Sequence, residues 1–316
     1  MPTRLLAARA TDLVLVVLGV SVVVFLLMRM IPGDAVAIML GANTEITPER
    51  LAALRARFGL DQPLLAQYLG WAGAALSGDL GTSLWTGRPV AEEIAAHAGV
   101  TLQLLAMSLA FGAALAVPAG CAMARVRGGA ADIALRVATI ASITVPSFWL
   151  GIVMILAAAS LAPWFPAVGH VPFAQDPVGN LQRMALPTLA LGLPILASLS
   201  RLVRTAMLDA LGQDYVRTAR AKGLSERRVV YRHALRNALL PFVTSVGITA
   251  GYLFGGAIVV EQVFALPGIG RLVLGAISER NYPLVQATIL MVTVGFVVVN
   301  FVVDMLYAAI DPRVRR

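Results

Sequence analysis

Residues 13–31 have the sequence LVLVVLGVSVVVFLLMRMI, in which Arg29 is the only charged side chain. A helix needs about 20 mostly apolar residues to cross the hydrocarbon core of a bilayer, and this stretch has that length and composition. It is too long for the apolar region of a typical cleavable signal peptide and lacks an A-x-A-like exit. We therefore interpret it as a retained transmembrane helix.

Five further segments have the length and apolar composition of a transmembrane helix. They are Thr101–Ala124, Val137–Leu161, Met184–Ser200, Ala238–Val260 and Tyr282–Val303, of which Met184–Ser200 is the shortest. Over the whole chain 59% of the residues are hydrophobic and 13% are charged, whereas soluble domains carry about a quarter charged residues. We predict an all-α membrane protein with about six transmembrane helices, forming one transmembrane domain over residues 1–316.

The distribution of arginine and lysine predicts the orientation, because cytoplasmic loops are enriched in these residues. With the amino terminus inside, the cytoplasmic segments hold Arg4 and Arg9, three arginines between 125 and 136, nine basic residues between 201 and 236, and three near the carboxyl terminus. Both termini are therefore expected in the cytoplasm. The connection 32–100 is then external, and residues 205–236 form a cytoplasmic loop.

The external connection 32–100 has helical signals and is expected to be folded. Thr47 and Pro48 fit the start of a helix with Leu51, Leu54 and Phe58 on one face, and a second short helix follows Pro63. The connection is interpreted either as an amphipathic cap on the bilayer or as a docking face for an external partner.

Several function classes lack their sequence signatures. The chain has no G-x-x-x-x-G-K-[ST] phosphate loop, no H-E-x-x-H, no G-x-S-x-G, and only three scattered histidines, so we predict neither ATP binding, nor a metal site, nor an enzyme. Asp12, Arg29, Glu261 and Asp304 lie near predicted helix ends, where they are expected to reach water. An ion-driven transporter usually carries such groups deep in the membrane, so the energy is expected to come from a partner.

The cytoplasmic segment 214–224, DYVRTARAKGL, predicts a helix that ends at Gly223, since glycine readily enters the left-handed conformation of a helix stop. Ser225 fits the cap of a second helix from Glu226, whose apolar stripe consists of Val229, Val230, His233 and Ala234. Three interpretations compete: a solvated basic loop, a DNA-binding helix-turn-helix, and a coupling element that presents Ala219, Ala221 and Gly223 to a cytoplasmic motor. Attachment to the membrane at both ends disfavours DNA binding.

Residues 214–224 and the following HALRNALLP at 233–241 resemble the EAA loop of bacterial ABC importer permeases, and more narrowly the dipeptide/oligopeptide/nickel permease family. Arg217-Thr218-Ala219 stands in place of Glu-Ala-Ala, which is similar to the peptide branch. Further matching motifs lie along nearly the whole chain: IPGD at 31–34, GDLG at 78–81, VPSFWLG at 145–151, LPGIG at 266–270, NYP at 281–283, DMLY at 304–307 and DPR at 311–313.

The resemblance implies a type I ABC importer permease fold in the bacterial inner membrane. It also implies a second related permease subunit, two cytoplasmic ATPases that bind ATP and Mg, an external substrate-binding protein, and no cofactor in this chain. The implied cargo is a dipeptide or oligopeptide, with nickel or glutathione as alternatives. The implied coupling residues are Arg217, Thr218, Ala219, Ala221, Lys222, Gly223 and Leu224.

Three further groups are candidates for a role. Thr144, Pro146 and Ser147 are candidates for lining the pathway, although such hydroxyls often bond to their own backbone. Gly247, Gly251 and Gly255 share one helix face, which allows close packing either within the chain or against a second permease. The third group is expected on the external face, available to a binding protein, and consists of Glu261, Gly268 and Gly270.

Overall fold

The computed structural model describes residues 3–30, 61–126 and 129–310, and it is helical apart from connecting loops and one isolated bridge between Thr82 and Pro89. A π-helical turn, Val229–Ala234, joins the short helix Glu226–Arg228 to the long helix Leu235–Val263. The helices are α1 (Thr3–Met30), α2 (Leu64–Leu76), α3 (Val90–Arg125), α4 (Ala130–Thr144), α5 (Ser147–Leu161), α6 (Pro177–Leu211), α7 (Asp214–Ala221), α8 (Glu226–Arg228), α9 (Leu235–Val263), α10 (Ile269–Ser278) and α11 (Tyr282–Ile310).

Five of these helices are long and apolar enough to cross a bilayer, which confirms an all-α membrane protein. The predicted helix at Thr47–Phe58 and the motifs at 31–34 and 311–313 lie outside the described residues.

The chain divides into two compact units, one formed by residues 1–99 and 268–298 and the other by 100–267 and 299–316. The helices α3 and α11 each contribute residues to both units.

In the first unit, α2 packs on α1 through aromatic and polar side chains. Tyr68 and Trp71 contact Phe25, the Tyr68 hydroxyl lies 2.9 Å from the Ser21 hydroxyl, and Arg29 donates to Gln67 at 3.1 Å. This confirms the short helix predicted after Pro63.

Several apolar side chains of α2 are exposed. Leu64, Leu65, Leu69 and Leu76 are all more than half exposed. An apolar helix of 13 residues is too short to span a bilayer upright, and its exposed leucines fit the predicted cap on the bilayer surface.

The loop 77–89 of the same unit is held by Asn281. The Asn281 side chain donates to the Ser83 hydroxyl at 2.8 Å and accepts from the Leu84 amide at 3.2 Å, while Trp85 donates to the Glu279 carbonyl at 2.8 Å. These bonds fix the loop that contains the motif 78–81 onto the turn between α10 and α11.

In the second unit α6 is the central helix. Of its most apolar stretch 56% is buried, compared with 17–39% for the other four candidate spans. Glycines allow α3 to approach it closely, since a Cβ at Gly112 would meet the Ile195 side chain and one at Gly120 would meet Val203. Residue numbers rise together along both helices at these contacts, so α3 and α6 run parallel.

The helix α6 is much longer than the predicted segment Met184–Ser200, which corrects the expectation of a short span. It begins at Pro177, where Asp176 caps it by accepting from the Gly179 amide at 2.9 Å, and it continues for 35 residues to Leu211. At 1.5 Å per residue it is about 52 Å long, which exceeds the roughly 30 Å hydrocarbon core. Polar residues near its ends, such as Arg183 and Arg201, lower the local hydropathy without ending the helix.

The predicted third span is broken into α4 and α5, whose axes differ by 104° at Val145–Pro146. Contacts with α6 show where the two ends of the segment containing α4 and α5 lie. Asp132 of α4 pairs with Arg204 at 3.1 Å, whereas the loop after α5 bonds through the Val171 carbonyl to Asn180 at 2.7 Å. Asn180 and Arg204 lie about 36 Å apart along α6, so contacts of this segment reach both ends of α6, and the described helices give five spans, or six if the bent pair is one broken span.

Candidate functional site

The segment 214–228 folds as helix, glycine turn and helix, which confirms the local prediction. After α7 the Gly223 backbone has a φ of +74°, in the left-handed region that favours glycine. Its amide donates to the Arg220 carbonyl at 2.9 Å, and the Leu224 amide donates to the Ala219 carbonyl at 3.4 Å. We call residues Asp214–Arg228, from α7 to the end of α8, the elbow.

The inner face of α7 is covered by apolar side chains of the same chain. Val216 and Ala219 are buried against Val229, and the half-buried Leu211 and Leu224 complete this small cluster. The Ala219 side chain therefore belongs to the interior of the elbow and is not part of a surface that could enter a partner's groove. That corrects the expectation that Ala219 lies exposed beside Ala221.

The outer face of α7 is polar, basic and exposed. Among the predicted coupling residues, Leu224 is half-buried, and the exposed ones are Arg217, Thr218, Ala221, Lys222 and Gly223. Arg217 pairs with Asp214 at 3.3 Å along the helix, and Thr218 donates to the Asp214 carbonyl at 2.9 Å. This face combines positive charge with a short side chain at Ala221, where a partner could approach the backbone.

Two side-chain bridges connect α7 to the chain that follows the glycine turn. Across the glycine turn, Arg220 donates two hydrogen bonds to the Glu226 carboxylate, at 2.7 and 3.2 Å. From the first turn of α7, the Tyr215 hydroxyl accepts a hydrogen bond from the Asn237 side chain of α9 at 2.8 Å. Sequence patterns do not predict these two pairs, because their partners are 6 and 22 residues apart, lie on different helices and meet only once the chain has turned.

The Arg220–Glu226 bridge remains charged at neutral pH. The hydrogen bond from Arg220 is the main cause that lowers the pKa of the Glu226 carboxyl from its ordinary value, and the same bond raises the pKa of Arg220. A carboxyl with a lowered pKa is lost as a partner only when the pH falls through that lowered value. The bridge is therefore present over the whole neutral range.

The second helix differs in two respects from the expectation. Ser225 precedes α8 but makes no side-chain capping hydrogen bond, and the helix changes to π geometry at Val229–Ala234 before α9 begins. The predicted apolar stripe is present, since Val229, Val230 and Ala234 are buried and His233 is half-buried. Val230 and Ala234 belong to the main core of the second unit.

The candidates for pathway lining lie at the break between α4 and α5. Thr144 and Pro146 are exposed and Ser147 is half-buried, and the Thr144 hydroxyl donates to the Ile140 carbonyl of its own helix at 2.9 Å. This bond to its own backbone is the alternative role expected for the Thr144 hydroxyl.

The three glycines of α9 have different surroundings. A Cβ at Gly247 would overlap the Val303 side chain, so this position packs within the chain. Gly251 is buried, whereas Gly255 is exposed and a Cβ there would meet nothing within 4 Å. The shared face predicted from the four-residue spacing is therefore divided between an internal contact and an open surface.

Glu261 is completely buried, contrary to the expectation that it reaches water or an external partner. Its carboxylate accepts a hydrogen bond from the Thr101 hydroxyl of α3 at 2.5 Å, and its backbone carbonyl accepts from the Leu266 amide. Gly268 and Gly270 are buried as well. Nearby residues of the sequence that are exposed are Gln262, Ala265 and Arg271.

Within residues 3–30, 61–126 and 129–310, no group of three or more His, Cys, Asp or Glu side chains comes together in a way that could hold a metal ion. The charged site that the described structure offers is the elbow.

Comparison with known families gives two matches that together cover nearly the whole chain. Residues 116–316 match the family described as the binding-protein-dependent transport system inner membrane component. Residues 2–105 match the N-terminal region described for the membrane component of the same type of system. The elbow lies in the first of these matches.

Individual relatives are similar over their full length. A protein of Brucella melitensis, provisionally named as a peptide transport system permease, is 38% identical over 315 residues, which cover 100% of this chain and 99% of the relative. The glutathione transport system permease protein of Escherichia coli strain K12 is 40% identical over 296 residues, which cover 94% of each chain.

Proposed function

Because this chain belongs to the family of binding-protein-dependent transport system inner membrane components, we propose that it forms half of the pore of an ATP-driven peptide importer. It is a multi-pass protein of the bacterial inner membrane and a permease subunit of an ABC importer. The observation that carries the proposal is the elbow: a short basic helix, turned by Gly223, that stands between two long membrane helices.

The partners that we propose are those that membership of the family implies. ATP and Mg bind to two separate cytoplasmic ATPase subunits, in keeping with the lack of a phosphate loop in this sequence, and this chain is a non-catalytic permease subunit. The second half of the pore is a related but different permease chain. An external binding protein delivers the cargo, and both termini and the elbow lie in the cytoplasm, as the distribution of arginine and lysine indicates.

The elbow is proposed to transmit the stroke of the ATPases. The exposed face of α7, with Arg217, Thr218, Ala221 and Lys222, enters a cleft of an ATPase subunit, and closure of the ATPase pair on nucleotide moves the helix. The helix α6 lies just before the elbow, and α9 follows it after the π-helical turn. Movement of α7 would therefore move α6 and α9 and expose the pathway alternately to each side.

Peptides are the proposed cargo, since a relative named for peptide transport matches this chain from end to end. Glutathione is the second candidate because a permease named for glutathione transport is similarly related, and glutathione is itself a small peptide. Nickel, which the family resemblance also allows, has no group of described side chains that could bind it here.

The proposal is tested by purifying the tagged chain with its partners and reconstituting the assembly into vesicles. We expect uptake of a labelled dipeptide or of labelled glutathione that requires the binding protein outside and ATP on the ATPase side. Uptake driven by an ion gradient, with this polypeptide as the sole protein, would contradict the proposal. Competition between the dipeptide and glutathione then decides which is the cargo.

A further inference from the structure

We propose that the Arg220–Glu226 and Tyr215–Asn237 bridges make α7 and α9 move as one body, so that these four residues position the coupling helix. This inference rests on the proposed function of the elbow, and it adds the residues that transmit the movement inside this chain. The bridges lie outside the exposed face of α7 that is proposed to meet the ATPase.

The first bridge closes the glycine turn. A glycine at φ +74° gives the chain its direction but has no side chain with which to resist bending. Arg220 and Glu226 lie on either side of it, joined by two parallel hydrogen bonds at 2.7 and 3.2 Å. A forked guanidinium–carboxylate pair fixes the orientation of both groups as well as their distance.

The second bridge lies at the other end of α7. Tyr215 is in the first turn of this helix, whereas Arg220 is in the last, so the two bridges are about 7 Å apart along the axis. Asn237 is in the first turn of α9 and donates to the Tyr215 hydroxyl at 2.8 Å. Two separated attachments prevent a rotation that a single attachment would allow.

Apolar packing continues the connection into the membrane. Val216 and Ala219 of α7 pack on Val229, and the next residue, Val230, is buried in the main core of the second unit. Packing of so few side chains can hold α7 in place but does not prevent it from sliding. Hydrogen bonds are directional, so the bridges fix the orientation of α7, which apolar contact alone does not.

Both bridges are too exposed to matter greatly for stability. The Arg220 and Glu226 side chains are 46% and 57% exposed, and ion pairs at such sites typically contribute at most about 1 kcal/mol. Their removal should therefore leave the protein folded. This separation between stability and coupling makes the inference testable.

The experiment uses the assembled transporter in vesicles and measures uptake of the labelled dipeptide, or of labelled glutathione if the wild type takes that instead, together with ATP hydrolysis. In E226Q/N237A both bridges are weakened and the exposed face of α7 is unchanged. We expect ATP hydrolysis to continue while the amount of cargo moved per ATP falls about threefold to tenfold. An unchanged ratio of cargo to ATP in this variant would overturn the inference.

Charge exchange provides the second arm. R220E and E226R each place like charges across the turn and should lower the ratio, whereas R220E/E226R restores an ion pair and should recover most of it. A double variant no better than the single ones would overturn the role of this pair. R227E is the matched control, because Arg227 is exposed beside Glu226 and belongs to neither bridge.

A cross-linking experiment distinguishes failure of this inference from failure of the proposed function. A cysteine at the exposed Ala221, in a chain whose Cys121 is replaced by alanine, should cross-link to an ATPase subunit. If it does not, the proposed function of the elbow is wrong. If it does and E226Q/N237A still moves cargo at the wild-type ratio, only the bridges are wrong.

Discussion

Gly223 shows how a single residue can be required for its backbone alone. A Cβ at this position would meet no atom within 4 Å, so a side chain would not clash, but the φ of +74° would be strained. A non-glycine residue in this conformation costs on the order of 1–3 kcal/mol, most for a β-branched side chain. The cost can be avoided only by changing the direction of the turn.

We therefore expect Gly223→Val to reduce cargo uptake at least about tenfold while ATP is still hydrolysed. Gly212→Val is the matched control, because Gly212 ends α6 with a φ of −80°, which valine adopts without strain. Uptake and hydrolysis in reconstituted vesicles measure both effects. Equal uptake by the two variants would show that the conformation of Gly223 is not needed.

Gly247 packs against Val303, whereas Gly255 faces open space. Substitution by alanine should therefore affect stability differently at the two positions. Gly247→Ala should lower the stability of the chain by about 1–3 kcal/mol, because its Cβ would overlap Val303. Gly255→Ala should have little effect on the isolated chain. Thermal unfolding of the purified chain in detergent compares them, and Val303→Ala should relieve part of the defect in Gly247→Ala. A defect of similar size at Gly255 would contradict this assignment.

At the scale of elements, the ion pair between Asp132 of α4 and Arg204 of α6 holds the start of the broken crossing against the central helix. The Asp132 side chain is 2% exposed and that of Arg204 17% exposed, with a separation of 3.1 Å. A buried charge that loses its partner retains its desolvation cost. The pair therefore stabilises the attachment of α4 mainly because either charge alone would be unfavourable.

Asp132→Asn should lower stability by up to about 3 kcal/mol, since it leaves Arg204 without its counter-charge. Asp214→Asn is the control for loss of an ion pair, because Asp214 and Arg217 are 92% and 80% exposed and such pairs contribute little. Melting temperatures of the two variants in the same detergent decide the matter. Similar melting temperatures would indicate that α4 is held by packing alone.

The elements also show where sequence patterns are sufficient and where they are not. Hydropathy predicts that a helix exists around Met184–Ser200, but the structure extends it to Pro177–Leu211 because backbone hydrogen bonding continues into polar sequence. Conversely, the uninterrupted apolar run 137–161 predicts one helix, and the structure breaks it before Pro146. Proline removes an amide donor and restricts the residue before it, so this break had a local signal that hydropathy did not register.

At the scale of the whole molecule, α6 connects the loop 162–176 to the elbow, so a membrane-crossing α6 places the two on opposite sides of the membrane. In a chain with Cys121 replaced by alanine, Gln175→Cys should react with a membrane-impermeant maleimide from outside the cell. Ser225→Cys should react only in inverted vesicles, and both side chains are exposed. Labelling of both cysteines from the same side would contradict α6 as a crossing, and labelling of Gln175→Cys only in inverted vesicles would contradict α4 and α5 as one broken crossing.

The sequence by itself determines that this chain lies in a membrane and where its elbow turns. These properties are local: hydrocarbon requires a segment to satisfy its own backbone hydrogen bonds, and a left-handed turn favours glycine. Only the tertiary structure decides which side chains face inward. When nearly every face of a helix is apolar, periodicity groups residues without indicating the buried group, so Ala219, Gly247 and Glu261 are buried and Gly255 is not. The two bridges of α7 also depend on the tertiary structure, because their partners meet only after the chain has turned.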